Sequence, residues 1–452
     1  MSTEKLVYIE TFGCQMNERD SEIMEQLLRQ VDYLPTRELS RADLVVVNTC
    51  SIRAKAEQKV YSLLGRLKKI KDGKPGLIIT VAGCVAQQEG ERLPARMPQV
   101  DIVVGTQNIY RLPSLIKEVE AKRCSRVAVD LSPSFVIPRH LPSPPGAVVA
   151  SASEKRPFKK FVTIMQGCNN FCTYCVVPHT RGREVSRDMD DILSEIQDLA
   201  GQGIKEVTLL GQNVNSYGKT SDTAGGRFPE LLRKVAEIDG IQRIRFTTSH
   251  PKDLSDELMR CFVEVDKLCP SFHLPVQSGS NRVLKMMNRR YTIESYLDKV
   301  EALRKMLPEI SLTTDIIVGF PGETDEDFSA TMELLEQVRY HGAFSFKYSD
   351  RPLAKSTDFA DKVPEDVKSA RLARLQDRQD QINLELHQQH VGSCLTVMVE
   401  GRSSKTSRGQ WSGRTDTNHV VNFTAEGLQA GQMVKIRIEE ACLHSLRGSL
   451  AD

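Results

Sequence analysis

The stretch "FVTIMQGCNNFCTYCVVPHTRGRE", residues 161–184, decides how the chain is read. An apolar run of strand length, FVTIMQ (161–166), leads into Cys168, Cys172 and Cys175, spaced Cys-x3-Cys-x2-Cys, with His179 four residues further on. Where thiols stay reduced, cysteines at such spacing read as metal ligands before disulfides. A structural zinc site needs four ligands in a closed tetrahedron, and His179 could supply the fourth. Against zinc, the second paired spacing of a zinc ribbon is missing, and a structural knuckle has little use for a position just past a strand. The alternative is an iron–sulfur cluster, normally held by four thiolates. Three thiolates on a four-iron cluster leave one iron open to a small chelating cofactor.

Around this stretch the chain alternates strands and helices. Strand candidates after FVTIMQ are EVTLLGQ (206–212), RIRFTTS (243–249), SFHLPVQ (271–277), SLTTDIIVGF (311–320) and FSFKYS (344–349), with helical patterns between them. Six β/α units, two short of a closed barrel, predict a partial (β/α)6 barrel with its site at the carboxyl ends of the strands. Upstream, LVYIET (6–11), DLVVVNT (43–49), GLIITVA (76–82) and DIVVG (101–105) each precede a helical pattern. Near-continuous apolar strands between helices predict an open parallel sheet covered on both faces. Between the two series, five prolines fall in residues 132–146, which reads as an extended linker. After a helix around 364–389, short β-rich segments predict a small antiparallel barrel. The fold class is therefore α/β, with expected boundaries at 5–121, a linker at 122–153, a core at 154–386 and a small barrel at 387–450.

The first series repeats the cysteine arithmetic. Cys14, Cys50 and Cys84 lie 36 and 34 residues apart, each just past a predicted strand. Ligands bind at the carboxyl ends of strands in open α/β sheets. One such cysteine would be ordinary packing; three at equivalent positions predict a second metal site, again lacking a local fourth thiol. Cys124, Cys261, Cys269, Cys394 and Cys442 share no such position and read as ordinary reduced residues.

The 452 residues are 40 % hydrophobic and 27 % charged, with a net charge of +2, so global charge neither supports nor opposes a nucleic-acid partner. The start, MSTEKLVYIE, has no signal-peptide pattern, and no apolar run nears the roughly 18 residues of a membrane span. A cytoplasmic protein without membrane contact is expected. Charge is local instead: residues 50–74 carry eight Lys/Arg against two acidic residues. Arg53, Lys55, Lys59 and Arg66 fall on a predicted helix after Cys50, and Arg402, Lys405, Arg408 and Arg414 cluster in the predicted barrel. Both patches are candidates for RNA phosphate contact, with a solvated surface as the plain alternative. Trp411 reads as the barrel's plug rather than a stacking platform.

Several long motifs occur in order: TFGCQMNERDSE, NTCSIRAKAEQKVYSLLG, AGCVAQQ, GCNNFCTYCVVPHTRGRE, LLGQNVNSYG, LPVQSGSNRVLKMMNRRYT and TDIIVGFPGET. Together they resemble the radical S-adenosylmethionine (SAM) methylthiotransferases, within them the MiaB family that modifies transfer RNA, and the C-terminal segment resembles a TRAM domain. The resemblance implies two [4Fe–4S] clusters, one on Cys168, Cys172 and Cys175 that binds SAM, and an auxiliary one on Cys14, Cys50 and Cys84 that carries the sulfur. It implies SAM as cofactor and isopentenyl-adenosine at position 37, in the tRNA anticodon stem-loop, as substrate. An electron-donor protein such as flavodoxin or ferredoxin, and a monomeric chain, are expected with it. Tyr174 would meet the adenine of SAM through its backbone. Barrel geometry aims Gln212, Asn213, Ser249 and Gln277 at the cofactor, with Asp315 a further candidate; each could equally be an ordinary buried hydrogen-bonding residue. "GFPGET" (319–324) lacks the ending of a phosphate loop and resembles a turn against SAM. "YSDRPLAKS" (348–356) departs from the family's form, closer to Tyr-Ser-Pro-Arg-Pro-Gly-Thr. Modification of a ribosomal-protein aspartate, a threonylcarbamoyl-adenosine substrate, and a non-catalytic RNA-binding protein with a structural metal are the competing readings.

Overall fold

Runs of Val, Ile and Leu build the first sheet, because a strand covered on both faces has no polar side to show. Its strands are β1 (Lys5–Thr11), β2 (Tyr33–Pro35), β3 (Leu44–Thr49), β4 (Ile78–Gly83), β5 (Ile102–Val104) and β6 (Arg126–Ala128), in the order β2-β1-β3-β4-β5-β6. All ladders are parallel, and β3, β4 and β5 are buried throughout. The computed structural model describes residues 4–50, 54–140, 157–219, 227–403 and 409–451. They divide into two compact units: residues 4–140 as described, with 161–169 and 176–187, and the described residues of 157–160, 170–175 and 188–451.

In the first unit, the short strands β2 and β6 escaped the sequence reading. β6 lies in the segment assigned to the linker from residue 122, yet pairs with β5 along its whole length. The proline-rich composition begins only at Pro133, and Arg126–Ala128 keep every backbone donor a ladder needs. The helix Gln15–Arg29 covers one face of the sheet through Met24 and Leu28; Ala54–Gly73 covers the other through Val60, Leu64 and Leu67.

FVTIMQ was expected as one strand but forms two, β7 (Lys159–Thr163) and β8 (Met165–Gln166). β8 pairs antiparallel with β9 (Val185–Ser186) just before Cys168. In the second unit β10 (Glu206–Leu210) and β11 (Arg243–Thr247) pair in parallel, while β12 (Ser271–His273), β13 (Ser311–Val318) and β14 (Gly342–Lys347) form a sheet in the order β12-β13-β14. Ile244 joins the two by exchanging backbone hydrogen bonds with Lys267 and Cys269 at 2.7 and 2.9 Å. These five strands follow chain order.

The last strands, β15 (Cys394–Arg402), β16 (Gln410–Thr415), β17 (Val420–Thr424), β18 (Met433–Cys442) and β19 (Ser445–Leu450), close as β15-β16-β17-β19-β18. The barrel is antiparallel except for one ladder: β17 and β19 run parallel. Trp411 is its plug, 7 % exposed, with Nε1 donating to the Ala425 carbonyl at 2.9 Å. The barrel is tied to β11, where Arg243 donates to the Arg414 carbonyl at 2.7 Å and Arg245 to the Thr415 carbonyl at 2.8 Å. No helix among the described residues is long and apolar enough to cross a membrane.

Candidate metal centres and cofactor site

In the first unit, Cys14, Cys50 and Cys84 stand at the carboxyl ends of β1, β3 and β4, which are neighbours in the sheet. The strand order reverses between β1 and β3, the point where doubly wound sheets open a crevice for ligands. Adjacent strands lie about 4.8 Å apart, so residues 70 positions distant in sequence meet at one sheet end. Two glycines permit the approach. Gly13 has φ +149°, and a Cβ there would stand 2.4 Å from the Cβ of Cys50; Gly83 has φ +91°, and a Cβ would meet the Thr49 carbonyl at 2.4 Å.

A buried polar lattice fixes these ends. Asn17 Nδ2 donates to Asn48 Oδ1 at 2.9 Å and to the Thr49 carbonyl at 3.0 Å; Asn48 Nδ2 returns a bond to the Asn17 carbonyl at 2.8 Å. Thr49 Oγ1 donates to the Ala82 carbonyl at 2.7 Å. Asn17 and Asn48 were missed in the sequence, although an asparagine inside LVVVNT is the signal: a buried amide in an apolar strand must serve a hydrogen-bond network.

Cys14 is the N-cap residue of the helix Gln15–Arg29, at the positive end of its dipole. Its thiol is pulled down to about 6 by the bond with Cys50, helped by Arg181 and the Asn17 and Met16 amides, with burial opposing. Burial pushes the Cys84 thiol up against the pull of Arg181. Arg181 is itself buried and paired with Asp20, Nη2 to Oδ2 at 2.7 Å. No group of three His, Cys, Asp or Glu side chains among the described residues is set to hold a single metal ion.

Cys168 belongs to the first unit, its N–H donating to the Gly182 carbonyl at 3.2 Å. His179, the fourth ligand of the zinc reading, is exposed on the short helix Val177–Thr180.

In the second unit, Cys172 and Cys175 share one turn, the Cys175 N–H donating to the Cys172 carbonyl at 3.0 Å. The segment after helix Asn281–Met286 pins this turn. The Thr173 N–H donates to the Met287 carbonyl at 3.1 Å, and Asn288 Nδ2 to the Phe171 carbonyl at 3.0 Å. Arg289 penetrates beneath it, with Nη1 3.5 Å from Cys172 Sγ and 3.4 Å from the Tyr174 hydroxyl, and Nη2 on the Pro275 carbonyl at 2.7 Å. Burial drives the Tyr174 hydroxyl up against the pull of Arg289. Tyr174 was selected for its backbone; its side chain also packs against the Val283–Met287–Phe320–Tyr348 cluster. Arg289 was missed, since a basic "NRRY" reads as surface in a single sequence.

The strand ends of β10 and β11 carry Asn213, Thr248 and Ser249, all drawn into the interior. Asn213 Nδ2 donates to Asp253 Oδ2 at 2.9 Å, but Asn213 Oδ1, Thr248 Oγ1 and Ser249 Oγ are buried without a hydrogen-bond partner among the described residues. Such orphaned atoms are costly unless a ligand completes them. His250 Nε2 is in the same condition, and burial beside Arg289 and Lys252 keeps its ring neutral. Gln277 is buried with φ +73°, its N–H on the Asp315 carbonyl at 2.8 Å. The Asp315 carboxylate lies 3.5 Å from His273 Nε2. Gln212 is half-buried beside Asn213. "GFPGET" is a stapled turn: Glu323 accepts from the Gly319 N–H at 2.7 Å and pairs with buried Arg371 at 2.8 Å.

Of the basic candidates, Arg53, Lys405 and Arg408 lie outside the described residues, as does the side chain of Lys55. Lys59 and Arg66 are exposed on Ala54–Gly73 and make no ion pair among the described residues, whereas Lys71 and Lys74 pair with Asp101 and Asp43. Arg402 lies over the Trp411 ring at 4.5 Å, and Arg414 pairs with Glu400 at 3.4 Å.

Residues 6–105 match the family described as "Uncharacterized protein family UPF0004", 162–335 the radical SAM superfamily and 388–451 the TRAM domain. The chain is 54 % identical over 99 % of both lengths to the tRNA-2-methylthio-N(6)-dimethylallyladenosine synthase of Desulfotalea psychrophila, and 50 % identical over 100 % of both to that of Geotalea uraniireducens. Among solved structures it resembles the radical SAM methyltransferase TsrM of Kitasatospora setae, with TM-score 0.55 and 13 % identity over 91 % of this chain and 77 % of that one. The cobalamin-dependent radical SAM enzyme OxsB gives TM-score 0.54 and 14 % identity over 84 % and 62 %. At these identities the likeness is one of fold.

Proposed function

The chain belongs to the family of tRNA-2-methylthio-N(6)-dimethylallyladenosine synthases, and from that premise we propose that it places a methylthio group on C2 of N6-isopentenyl-adenosine at tRNA position 37, using two SAM per turnover. The observation that carries the reading is the doubled set of three cysteines, each one short of the four that would close a [4Fe–4S] cluster. In this reading Cys168, Cys172 and Cys175 hold the SAM-binding cluster, and Cys14, Cys50 and Cys84 an auxiliary one. Bound together, the clusters and SAM supply a radical able to break an aromatic C–H bond, a sulfur and a methyl group, chemistry that no acid–base side chain provides.

The chain's own residues do the rest. Asn213 Oδ1, Thr248 Oγ1 and Ser249 Oγ offer unfilled hydrogen bonds to the polar parts of SAM. Gln212, Gln277 and Asp315 extend that polar rim, and Arg289 and the Asn288 amide hold the cysteine turn in place. Residues 5–121 carry the auxiliary centre, 154–386 the radical chemistry and 387–450 the RNA-binding barrel. Lys59 and Arg66, with Arg53, Lys55, Arg402, Lys405 and Arg414, contact tRNA phosphates. A one-electron donor of the flavodoxin or ferredoxin kind is needed, and the chain acts as a monomer in the cytoplasm, where its substrate is. The relatives' name favours a dimethylallyl nucleoside over a threonylcarbamoyl one or a ribosomal-protein aspartate.

Mass spectrometry of tRNA nucleosides from a deletion strain tests the function: the methylthio mark on isopentenyl-adenosine disappears, and an intact mark ends the proposal. Anaerobic reconstitution gives about eight irons per chain for two four-iron clusters, while zinc without iron refutes them. Lys59→Ala and Arg66→Ala each lower the slope of log affinity against log salt by about one phosphate contact.

A further inference from the structure

We propose that Arg181 is a positioning residue of the first unit's thiol trio, and that its charge, balanced by Asp20, sets the electron affinity of the cluster held by Cys14, Cys50 and Cys84. The inference rests on reading that trio as a cluster site.

Arg181 comes from "HTRGRE", just past the second cysteine motif, yet it serves the first. Its side chain is 3 % exposed and that of Asp20 7 %, and their 2.7 Å bond uses one guanidinium nitrogen, Nη2. Nη1 is buried with no hydrogen-bond partner among the described residues. The positive charge of the guanidinium acts on the Cys84 and Cys14 thiols, and both thiols act back on it. As a mere staple this arrangement is poor: a buried ion pair seldom outperforms apolar packing, and an unused buried donor adds a penalty. The arrangement becomes favourable once anionic sulfur faces the spare donor, since hydrogen bonds to charged acceptors are about twice as strong as neutral ones.

The same geometry fixes a direction. Reduction adds one electron to the iron–sulfur core and breaks no bond, so the site becomes more negative by one charge. A cation buried near the site favours that form, and hydrogen bonds to cluster sulfurs and nearby charge are the protein's levers on such potentials. Asp20 opposes the cation from the same helix that Cys14 caps, so the two residues act with opposite sign.

The test uses the full chain with Cys168, Cys172 and Cys175 all changed to Ala, so that iron reports the first site alone. Potentials are read by electron paramagnetic resonance during anaerobic redox titration with dithionite. Arg181→Gln should lower the potential by at least a tenfold shift in the equilibrium, about 59 mV for one electron. Arg181→Lys should fall between Gln and the parent, and Asp20→Asn should raise the potential. A purely structural pair would lower melting temperature and iron content without moving potentials in opposite directions. Unchanged potentials in Arg181→Gln and Asp20→Asn, with iron retained, overturn the proposal. If Arg181→Gln loses its iron, Asp20→Asn decides alone: an upward shift supports the proposal and no shift overturns it. A parent that assembles no cluster removes the reading of the trio itself, and the inference with it.

Discussion

The two cysteine regions bring their thiols together by opposite routes. Cys172 and Cys175 share one turn, so their spacing is written into eight consecutive residues with Cys168. Cys14, Cys50 and Cys84 have no local relation; the register of β1, β3 and β4 is what makes them neighbours. Their charges differ too. Arg181 beside the distributed trio is matched by Asp20, whereas Arg289 beneath the local turn makes no ion pair among the described residues and is held by phenols and a carbonyl. A local site therefore tolerates damage elsewhere and fails by losing a ligand. A distributed site fails whenever the sheet ends shift.

The sharpest test removes a local ligand. Cys172→Ala should abolish SAM cleavage to the limit of detection, while iron at Cys14, Cys50 and Cys84 persists, about four per chain. Loss of all iron would show that the two regions are not independent. The converse experiment disturbs the sheet. In Gly83→Ala the new Cβ meets the Thr49 carbonyl at 2.4 Å and Asn48 Oδ1 at 2.5 Å, at a φ that disfavours any side chain. Such strain costs about 3 kcal/mol, enough to lower the first unit's melting temperature by roughly 6–12 °C. First-site iron should vanish and second-site iron remain; equal loss at both would break the distinction.

A third measurement asks whether the distributed trio is charged before any iron arrives. In cluster-free protein, iodoacetamide should alkylate Cys14 with a midpoint near pH 6, while Cys84 stays unreactive through neutral pH. Because Cys14 is lowered from an ordinary value of 9.0, the stability it contributes is full above about pH 9 and is lost as pH falls through about 6. Equal reactivity of both thiols would mean that the Cys50 hydrogen bond, with Arg181 and the Asn17 and Met16 amides, does not act on Cys14.

The same contrast explains what could be read in the chain. The Cys-x3-Cys-x2-Cys spacing and the spacing of Cys14, Cys50 and Cys84 by about one βα unit were both visible, because one is local and the other follows the sheet's own period. The strand runs of β3, β4 and β13 were equally plain. Arg181, Asp20, Asn17 and Arg289 were not, since each acquires its role only where separate segments meet, and a single sequence shows no such meeting; Asn48 alone carried a local signal, an amide inside an apolar strand. β6 was hidden for a simpler reason: three residues are too few for periodicity, and the prolines nearby dominated the composition.

The smallest effect concerns a loop where this chain departs from its family's form. Leu353 adopts φ +73° and is 55 % exposed, a left-handed position where that form has glycine close by. A non-glycine residue there costs roughly 1–2 kcal/mol, and Leu353→Gly would return part of this against about 0.4–1 kcal/mol of added unfolded-state entropy. The exposed side chain has little burial to lose. The net expectation is a gain of about 0.5–1 kcal/mol, read as a higher urea midpoint at unchanged slope. Asp350, in place of the family's proline, behaves differently: it accepts from the Tyr348 hydroxyl at 2.9 Å and pairs with Lys362 at 2.5 Å, so Asp350→Pro should lower the midpoint. If Leu353→Gly is instead destabilising, the leucine is making contacts that outweigh its backbone strain, and the loop is shaped around that side chain.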